Sequence, residues 1–388
     1  MAQESGHELG PTVGMIGAGQ LAQMSVAPAT SLGVRFTVLA NNAQEPAAQV
    51  VAETILGSKD DPHAVMEFAR SCDVVTFDHE LLTPEVMEVL SNCGKPVYPS
   101  PQAVIYAQDK LEMRRALADL GIACPLWAQV NCVKDATDFA AKVGYPFILK
   151  TSRGGYDGKG VWFVHSKAEI EAVLENELPS GSQWLAEEKV EFIRELAAQV
   201  ARSPSNQCVA YPVVHTIQRN GICFEVVSPA PDLDPSVAAR AQEIALHIAR
   251  ELDVVGMLAV ELFDTENGVL VNELAMRPHN SGHWSIEGST TSQFENHLRA
   301  ILDLPLGSPR ALAPWSVMGN ILGGDVPDLY SAYRHVFARD PELHSHLYGK
   351  AVKPGRKVGH VTAVGSNLTE LRSRVEHAVA YFTGEINE

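Results

Sequence analysis

Two glutamates stand inside apolar segments that are typical of neighbouring β-strands. Glu261 lies in the run 258–263 and Glu273 ends the run 269–273, with an Asn-Gly pair between them that strongly favours a hairpin turn. On such a hairpin the two carboxylates are expected to lie close together on one face of the sheet. Two buried carboxylates without a counter-charge repel each other, and a divalent cation removes that repulsion. The pattern predicts a Mg²⁺ site shared with phosphate oxygens; a buried arginine partner such as Arg277 is the structural alternative.

Two lysines stand where elements begin or end. Lys110 opens a predicted helix that runs to about Leu120, and Lys150 ends the apolar strand 147–150. An apolar strand that stops at a cation often delivers that cation to a ligand, so Lys150 is the stronger candidate. Taken alone, Lys110 would be read as a surface lysine.

The segment 152–161 contains four glycines between Gly154 and Gly160 and lies between two predicted strands. Backbone amides of such a loop can approach phosphate oxygens closely. The loop is not a Walker loop, because the G-K-[ST] ending is missing and no helix follows. Its length exceeds that of an ordinary hairpin turn, which favours a lid over a ligand rather than a plain flexible hairpin.

Three further polar stretches accompany these motifs. The acidic stretch 187–195 is compatible with a simple edge strand. The loop 277–284 follows Glu273 directly and is polar and cationic, as expected of a site loop. The stretch 350–360 holds four cations, which indicates either a phosphate clamp or a solvated basic turn.

The N-terminal third alternates strands and helices, which predicts a doubly wound parallel sheet. We expect helices over Asp61–Arg70 and Thr83–Asn92, and strands over Thr12–Ile16, Arg35–Ala40, Cys72–Phe77 and Lys95–Tyr98. The first strand ends in a G-x-G-x-x-A turn that begins at Gly17. A nicotinamide site would need an acidic residue after the second strand, where Asn41 stands instead. The turn is therefore expected to begin a helix whose N-terminus could receive a substrate phosphate.

Composition narrows the class further. The chain of 388 residues is long enough for two or three domains, and its net charge of −17 argues against nucleic-acid binding. It has no apolar run of membrane-spanning length and no secretion-signal pattern, and residues 1–11 are expected to be a leader outside the fold. Six scattered cysteines without a CxxC pair indicate reduced thiols in a cytoplasmic protein.

Five motifs in order, GAGQLAQM, GGYDGKG, AVELF, NELAMRPHNSGHW and KPGRKVGH, make the chain resemble the ATP-grasp superfamily and, within it, the N5-carboxyaminoimidazole ribonucleotide synthetase family. The resemblance runs from about Val13 to Val361. It implies an α/β ATP-grasp fold with an N-terminal doubly wound parallel-sheet domain and a C-terminal α+β domain. The expected domains are an N-terminal substrate domain at 11–115, a small lid domain at 116–190 and a catalytic domain at 191–388.

The resemblance also implies roles for particular residues. Metal ligands would be Glu261 and Glu273. Residues around bicarbonate and the reacting groups would be Arg277, His279, Asn280 and Asp157. Substrate contacts would come from Gly17, Gln20, Leu21, Tyr156, Asp157, Lys350, Arg356 and Lys357. ATP contacts would come from Lys110, Lys150, Gly154, Gly155, Tyr156, Asp157, Gly158, Lys159, Gly160, Glu187, Glu188, Lys189, Val190, Glu195, His215, Asn272 and Glu273.

The implied reaction uses ATP, Mg²⁺ and bicarbonate to carboxylate aminoimidazole ribonucleotide through carboxyphosphate, in purine biosynthesis, in a homodimer. Asp157 and His279 both remain candidates to accept the proton of the attacking amine. The alternatives are another ATP-grasp ligase, such as a glycinamide ribonucleotide transformylase or a biotin carboxylase, a nicotinamide dehydrogenase, and a non-catalytic sensor. Family departures stand at Ala22, Asp78-His79, Thr216, Met276 and Lys353.

Overall fold

A computed structural model of the chain describes residues 10–155, 160–324 and 326–387. Within these ranges the strands form three sheets, of four, four and nine strands. No helix in the same ranges combines the length and the apolar character needed to cross a membrane.

The first sheet is parallel, as the alternation of strands and helices predicts. Its order is β3-β2-β1-β4. The strands are β1 (Thr12–Ile16), β2 (Arg35–Ala40), β3 (Glu53–Leu56) and β4 (Val74–Phe77), and the helices are α1 (Gln20–Ser31), α2 (Pro62–Ser71), α3 (Pro84–Ser91) and α4 (Pro101–Gln108).

The strand expected over Lys95–Tyr98 is wrong, and β3 was missed. Within Lys95–Tyr98, Val97 forms one isolated parallel bridge, to Val75, and no continuous strand follows. Pro96 and Pro99 flank that residue and have no amide hydrogen to donate, which prevents a longer ladder. β3 is a four-residue edge strand without buried residues, so it has no hydrophobic pattern to find.

The second sheet is antiparallel with the order β5-β8-β6-β7. Buried Phe139, Phe147, Leu149 and Ile170 form part of the core between this sheet and its helices. The strands are β5 (Trp127–Val130), β6 (Phe147–Thr151), β7 (Val161–Val164) and β8 (Trp184–Glu188), and the helices are α6 (Val133–Val143) and α7 (Lys167–Leu174). Helix α5 (Lys110–Asp119) precedes them in the chain and packs against strands of the third sheet.

The third sheet is antiparallel with the order β14-β13-β9-β11-β12-β15-β17-β16, and β10 pairs with β9. Its strands are β9 (Arg194–Arg202), β10 (Cys208–Ala210), β11 (Val214–Arg219), β12 (Ile222–Ser228), β13 (Gly256–Thr265), β14 (Gly268–Ala275), β15 (Trp315–Leu322), β16 (His344–Leu347) and β17 (Lys357–Gly365). The helices of this part are α8 (Pro235–Glu251), α9 (Ser285–Gly288), α10 (Gln293–Ile301), α11 (Tyr333–Arg339) and α12 (Leu368–Thr383).

The three sheets fall inside the three expected ranges 11–115, 116–190 and 191–388. Helix α5 runs through residue 115 and joins the first range to the second. The exact boundaries stay a prediction.

Candidate active site

The carboxylate pair is formed by the hairpin of β13 and β14, where Glu261 stands directly opposite Glu273. Strand β9 lies on the other side of β13 and places Glu195 two residues along the ladder, opposite Phe263. Burial, reinforced by the charges of Glu273 and Glu195, raises the pKa of Glu261 to about 7. The Glu261 side chain keeps 29% of its exposure, so it lies in a cleft open to a ligand.

Lys110 supplies the counter-charge of this pair. Its ammonium lies 2.9 Å from Glu273 Oε1. The Asp109 carboxylate caps α5 by accepting from the backbone N–H of Leu111, which places Lys110 at the first position of the helix. Burial by itself would raise the pKa of Glu273, but the nearby ammonium of Lys110 holds that pKa below its usual value.

Arg277 has a different partner, so the alternative that it neutralises the carboxylate pair is wrong. Its guanidinium Nε lies 2.6 Å from Glu80 Oε2, and Glu80 Oε1 also accepts from the backbone N–H of Met276. Glu80 follows β4, and this ion pair therefore ties the first sheet to the loop after β14.

Lys150 lies at the end of β6, where its ammonium pairs with Glu187 of β8. Arg114, one helical turn after Lys110, lies 2.7 Å from the same carboxylate. Burial opposes the ionisation of Glu187, yet Lys150 and Arg114 together hold its pKa at about 2. The anionic form of Glu187 is therefore a permanent part of the site, and the lysine ammonium keeps further donors for a ligand.

Arg114 is a residue that sequence reasoning missed. Its side chain is 1% exposed, and it also donates to the backbone carbonyl oxygens of Val271 and Asn272, at 3.2 and 2.9 Å. It thereby connects the second sheet to strand β14, one residue from Glu273. The only signal in the sequence was its position four residues after Lys110 on the same helix face.

The glycine-rich loop joins β6 to β7, whose register places Lys150 opposite Val161. Gly154 and Gly160 have positive φ angles of 77° and 72°, a conformation that favours glycine. The predicted contacts Tyr156, Asp157, Gly158 and Lys159 lie outside the described residues.

The remaining predicted ATP contacts lie at the end of β8, in the segment after it, and on strands β9 and β11. Glu188 accepts from the backbone N–H of Leu126 at 2.7 Å, and Lys189 and Val190 follow directly in the chain. His215 lies on β11, and its neighbour Thr216 faces Glu195 in the ladder. Burial and the nearby cations lower the pKa of His215, whereas burial raises that of Glu195.

His279 and Asn280 differ in how they are held. His279 Nε2 lies 3.8 Å from Glu261 Oε1, so its ring faces the carboxylate pair. The amide of Asn280 exchanges two hydrogen bonds of 2.8 Å with the amide of buried Asn320. Asn280 is therefore anchored to strand β15 through its amide.

The G-x-G turn has a carboxylate at the position where a substrate phosphate was expected. The backbone N–H of Gly19 donates to Asp78, and a methyl group in place of the Gly19 hydrogen would lie 2.4 Å from that carboxylate oxygen. Burial raises the pKa of Asp78, opposed by the Gly19 hydrogen bond and the charge of Arg277. Leu21 is 4% exposed and packs into the core. Sequence reasoning had no signal for Asp78 here, because the residue is far from the turn in the chain.

Two lysines of the basic stretch 350–360 lie close enough to the site for their charges to act on it. Lys350 lies 5.6 Å from the ring centre of Tyr348, and its charge acts on Asp78. Lys357 begins β17, and its charge acts on both Glu261 and His279. Arg356 is exposed and donates to the carbonyl oxygen of Ala351.

Comparisons with known proteins identify the domains of the chain. Three family models match: a ribonucleotide synthetase preATP-grasp domain over residues 11–108, an ATP-grasp domain over 115–294, and a phosphoribosylaminoimidazole carboxylase C-terminal domain over 316–374.

Similar proteins cover nearly the whole chain. N5-carboxyaminoimidazole ribonucleotide synthase from Mycobacterium tuberculosis is 48% identical over 379 residues, which is 97% of this chain and 88% of the relative. The synthase from Corynebacterium ammoniagenes is 43% identical over 364 residues, covering 92% and 88%. The crystal structure of N5-carboxyaminoimidazole synthase from Aspergillus clavatus, in complex with ADP and 5-aminoimidazole ribonucleotide, has a TM-score of 0.87 at 33% identity, covering 97% of this chain and 99% of the other.

Proposed function

The chain belongs to the N5-carboxyaminoimidazole ribonucleotide synthase family of ATP-grasp ligases, and on that premise we propose that it carboxylates 5-aminoimidazole ribonucleotide at the expense of ATP, in purine biosynthesis. The enzyme is an ATP-dependent carbon–nitrogen ligase. The observation that carries the proposal is the Glu261–Glu273 pair with Lys110 bound to it, facing His279 across the cleft.

The carboxylate pair fits a divalent cation. Burial and the charges of Glu273 and Glu195 raise the pKa of Glu261, and a bound cation would favour its ionised form. When bound there, Mg²⁺ would neutralise charge that develops on the phosphoryl oxygens. Asn272 stands beside Glu273 on β14.

The nucleotide would lie between the second and third sheets. Lys110 and Lys150 project from one side and would contact its phosphates, since each ammonium has three donors and its carboxylate partner leaves some of them free. Gly154, Gly155 and Gly160 would bring backbone amides over the phosphates. The backbone of Glu187–Val190 would meet the adenine edge, with Glu195 and His215 near the ribose.

The reaction has two stages. A bicarbonate oxygen attacks the γ-phosphorus and the bond to the bridging oxygen of ADP breaks, which yields carboxyphosphate. The exocyclic amine then attacks the carboxyl carbon, phosphate leaves and the amine loses a proton. Arg277 and His279 would surround the bicarbonate and carboxyphosphate, and their fixed positions would supply most of the rate enhancement. Asn280, whose side-chain amide is anchored to Asn320, would help to shape this pocket.

The ribonucleotide would bind between the first sheet and the basic stretch. Lys350, Arg356 and Lys357 would hold its 5′-phosphate, because their cationic charge suits a dianion. Gly17 and Gln20 would line the same space. Tyr156 and Asp157, outside the described residues, stay predicted contacts of the ribonucleotide. A homodimer and a cytoplasmic location complete the proposal and are tested by light scattering and by cell fractionation.

The experiment is ADP release by the purified chain with ATP, Mg²⁺ and bicarbonate, with and without the ribonucleotide. The proposal predicts that release is stimulated by 5-aminoimidazole ribonucleotide. Stimulation by another acceptor, such as glycinamide ribonucleotide or biotin, would overturn the substrate assignment and leave the ATP-grasp chemistry in place.

A further inference from the structure

The imidazole of His279 is held through its Nδ1 atom. His279 caps the short helix 280–282, and Nδ1 accepts the backbone N–H of Ser281 at 3.4 Å. The Ser281 hydroxyl oxygen lies closer, 2.9 Å from the same nitrogen. A backbone N–H can only donate, so the nitrogen that faces it must carry a lone pair rather than a proton.

A second buried side chain contacts the Ser281 hydroxyl. The Nε2 amide of Gln199 donates to the Ser281 hydroxyl oxygen at 3.1 Å. This bond uses one lone pair of the oxygen, and the hydroxyl proton can then be donated to Nδ1 of His279, which already accepts from the backbone. Gln199 and Ser281 are each 1% exposed, so no bulk water competes for these groups.

The backbone of His279 is fixed by Gln293. Its Oε1 accepts the His279 N–H at 2.9 Å, and its Nε2 donates to the His279 carbonyl oxygen at 2.8 Å. Gly282 lets the two glutamines approach: a methyl group there would lie 2.4 Å from both Gln199 Nε2 and Gln293 Oε1. Gln199, Ser281 and Gln293 are referred to below as the glutamine clamp.

The other ring nitrogen of His279 faces the reacting groups. Nε2 lies 3.8 Å from Glu261 Oε1, on the side of the carboxylate pair. Because Nδ1 accepts a hydrogen bond, the ring is not doubly protonated. A neutral ring with a lone pair on Nδ1 has its single proton on Nε2.

We propose that the glutamine clamp locks His279 in the tautomer with its proton on Nε2, so that His279 donates a hydrogen bond to bicarbonate and carboxyphosphate oxygens and does not accept the proton of the attacking amine. Gln199, Ser281 and Gln293 are positioning residues, because they act through His279. The donor role of His279 rests on the proposed function, whereas its tautomer is independent of which substrate binds.

The tautomer is tested by long-range ¹H–¹⁵N NMR on the full chain labelled at histidine, with His279 assigned by the loss of its signals in His279→Gln. The expected result is a single neutral form protonated on Nε2 between about pH 6 and pH 9. In Ser281→Ala only the longer backbone bond of 3.4 Å remains at Nδ1 and the hydroxyl contact of 2.9 Å is lost, so a measurable fraction of the other tautomer is expected. A proton on Nδ1 in the wild type, or an unchanged tautomer in Ser281→Ala, would overturn the clamp.

The donor role is tested by two replacements of His279. Gln places its amide N–H₂ near the Nε2 position, whereas the shorter Asn places it near Nδ1. We expect His279→Gln to keep kcat within about tenfold of wild type, and His279→Asn to lose about 10²–10³-fold, the usual effect of losing one such donor. Equal losses, or the better rate in His279→Asn, would overturn the donor role. A wrong acceptor substrate would leave the NMR result intact, so the two failures are distinguishable.

Discussion

Lys110 Nζ lies 2.9 Å from Glu273 Oε1, so a cation expected on the nucleotide phosphates is also the counter-charge of an expected Mg²⁺ ligand. Glu261 lies opposite Glu273, and its carboxylate faces the His279 ring at 3.8 Å rather than a lysine ammonium. The two carboxylates therefore differ in charge before any ligand binds. That asymmetry gives the first two predictions.

Replacing Glu273 by Gln should lower kcat by more than about a hundredfold. Loss of a group that only hydrogen-bonds a metal ligand costs up to about that factor, and Glu273 is itself a predicted ligand. The change removes one carboxylate from the Mg²⁺ pair and leaves Lys110 without its ion-pair partner. It opens no cavity, and the Glu273 side chain is 40% exposed, so solvent can replace part of the lost pairing and the thermal midpoint should move little. The assay is ADP release across a Mg²⁺ titration, and near-normal turnover at limiting Mg²⁺ would refute the metal role.

Replacing Glu261 by Gln should stabilise the Mg²⁺-free chain at alkaline pH. Its pKa is about 7 in the folded chain against 4.5 ordinarily, so the folded state binds the proton more tightly. The stability from this group is complete below the ordinary pKa and is lost as pH rises through about 7. At pH above that value the variant should gain at most about 3 kcal/mol, since one pKa unit corresponds to about 1.4 kcal/mol.

The measurement is urea unfolding of wild type and Glu261→Gln across pH, with the exposed Glu266→Gln as control. The gain should vanish toward acid pH and be absent in the control. A variant that is less stable than wild type at alkaline pH would contradict the assigned position of Glu261.

Replacing Arg114 by Met should destabilise the fold by about 3–5 kcal/mol, because it breaks a buried ion pair and leaves Glu187 with Lys150 alone. The neighbour Arg115 offers a matched control. Its side chain is 44% exposed and pairs with Glu112, so Arg115→Met should change stability by less than about 1 kcal/mol. Chemical denaturation measures both, and equal effects would contradict the bridging role of Arg114.

Replacing Glu80 by Gln should reduce kcat roughly a hundredfold, as small misplacements of a positioned group do. Glu80 orients Arg277 through the pair at 2.6 Å, and a neutral amide holds a guanidinium less firmly. The exposed Glu85→Gln, at the start of α3, is the control. Wild-type turnover in Glu80→Gln would show that Arg277 needs no orientation from the first sheet.

Much of the site could be predicted because it depends on local pattern. Strand alternation and an Asn-Gly turn predict that Glu261 and Glu273 lie near each other, and the structure confirms this. Their position directly opposite each other depends on a bulge between Glu261 and Leu262 that the pattern does not predict. The helix begun by Lys110 and the strand ended near Lys150 follow from the same short-range signals. The ATP-grasp fold and the ligase activity followed from the order of the motifs, and the comparisons confirm them.

The remaining contacts could not be predicted because they join distant parts of the chain. Arg114 meets Glu187 across 73 positions, and Glu80 meets Arg277 across 197. Asp78 reaches the Gly19 amide only because β1 and β4 are adjacent in the parallel sheet. Single-sequence patterns carry no information on such pairs, since either residue alone resembles an ordinary surface charge.

The most direct test of carboxylation through carboxyphosphate uses bicarbonate labelled with ¹⁸O, together with ATP, Mg²⁺ and 5-aminoimidazole ribonucleotide. An oxygen of bicarbonate bonds to the γ-phosphorus and stays there when the amine captures the carboxyl carbon, so each turnover should leave one ¹⁸O in inorganic phosphate. The account predicts that labelled phosphate appears in equal amount to ADP. Phosphate without ¹⁸O, released at the same rate, would show that water attacks ATP and would contradict the account.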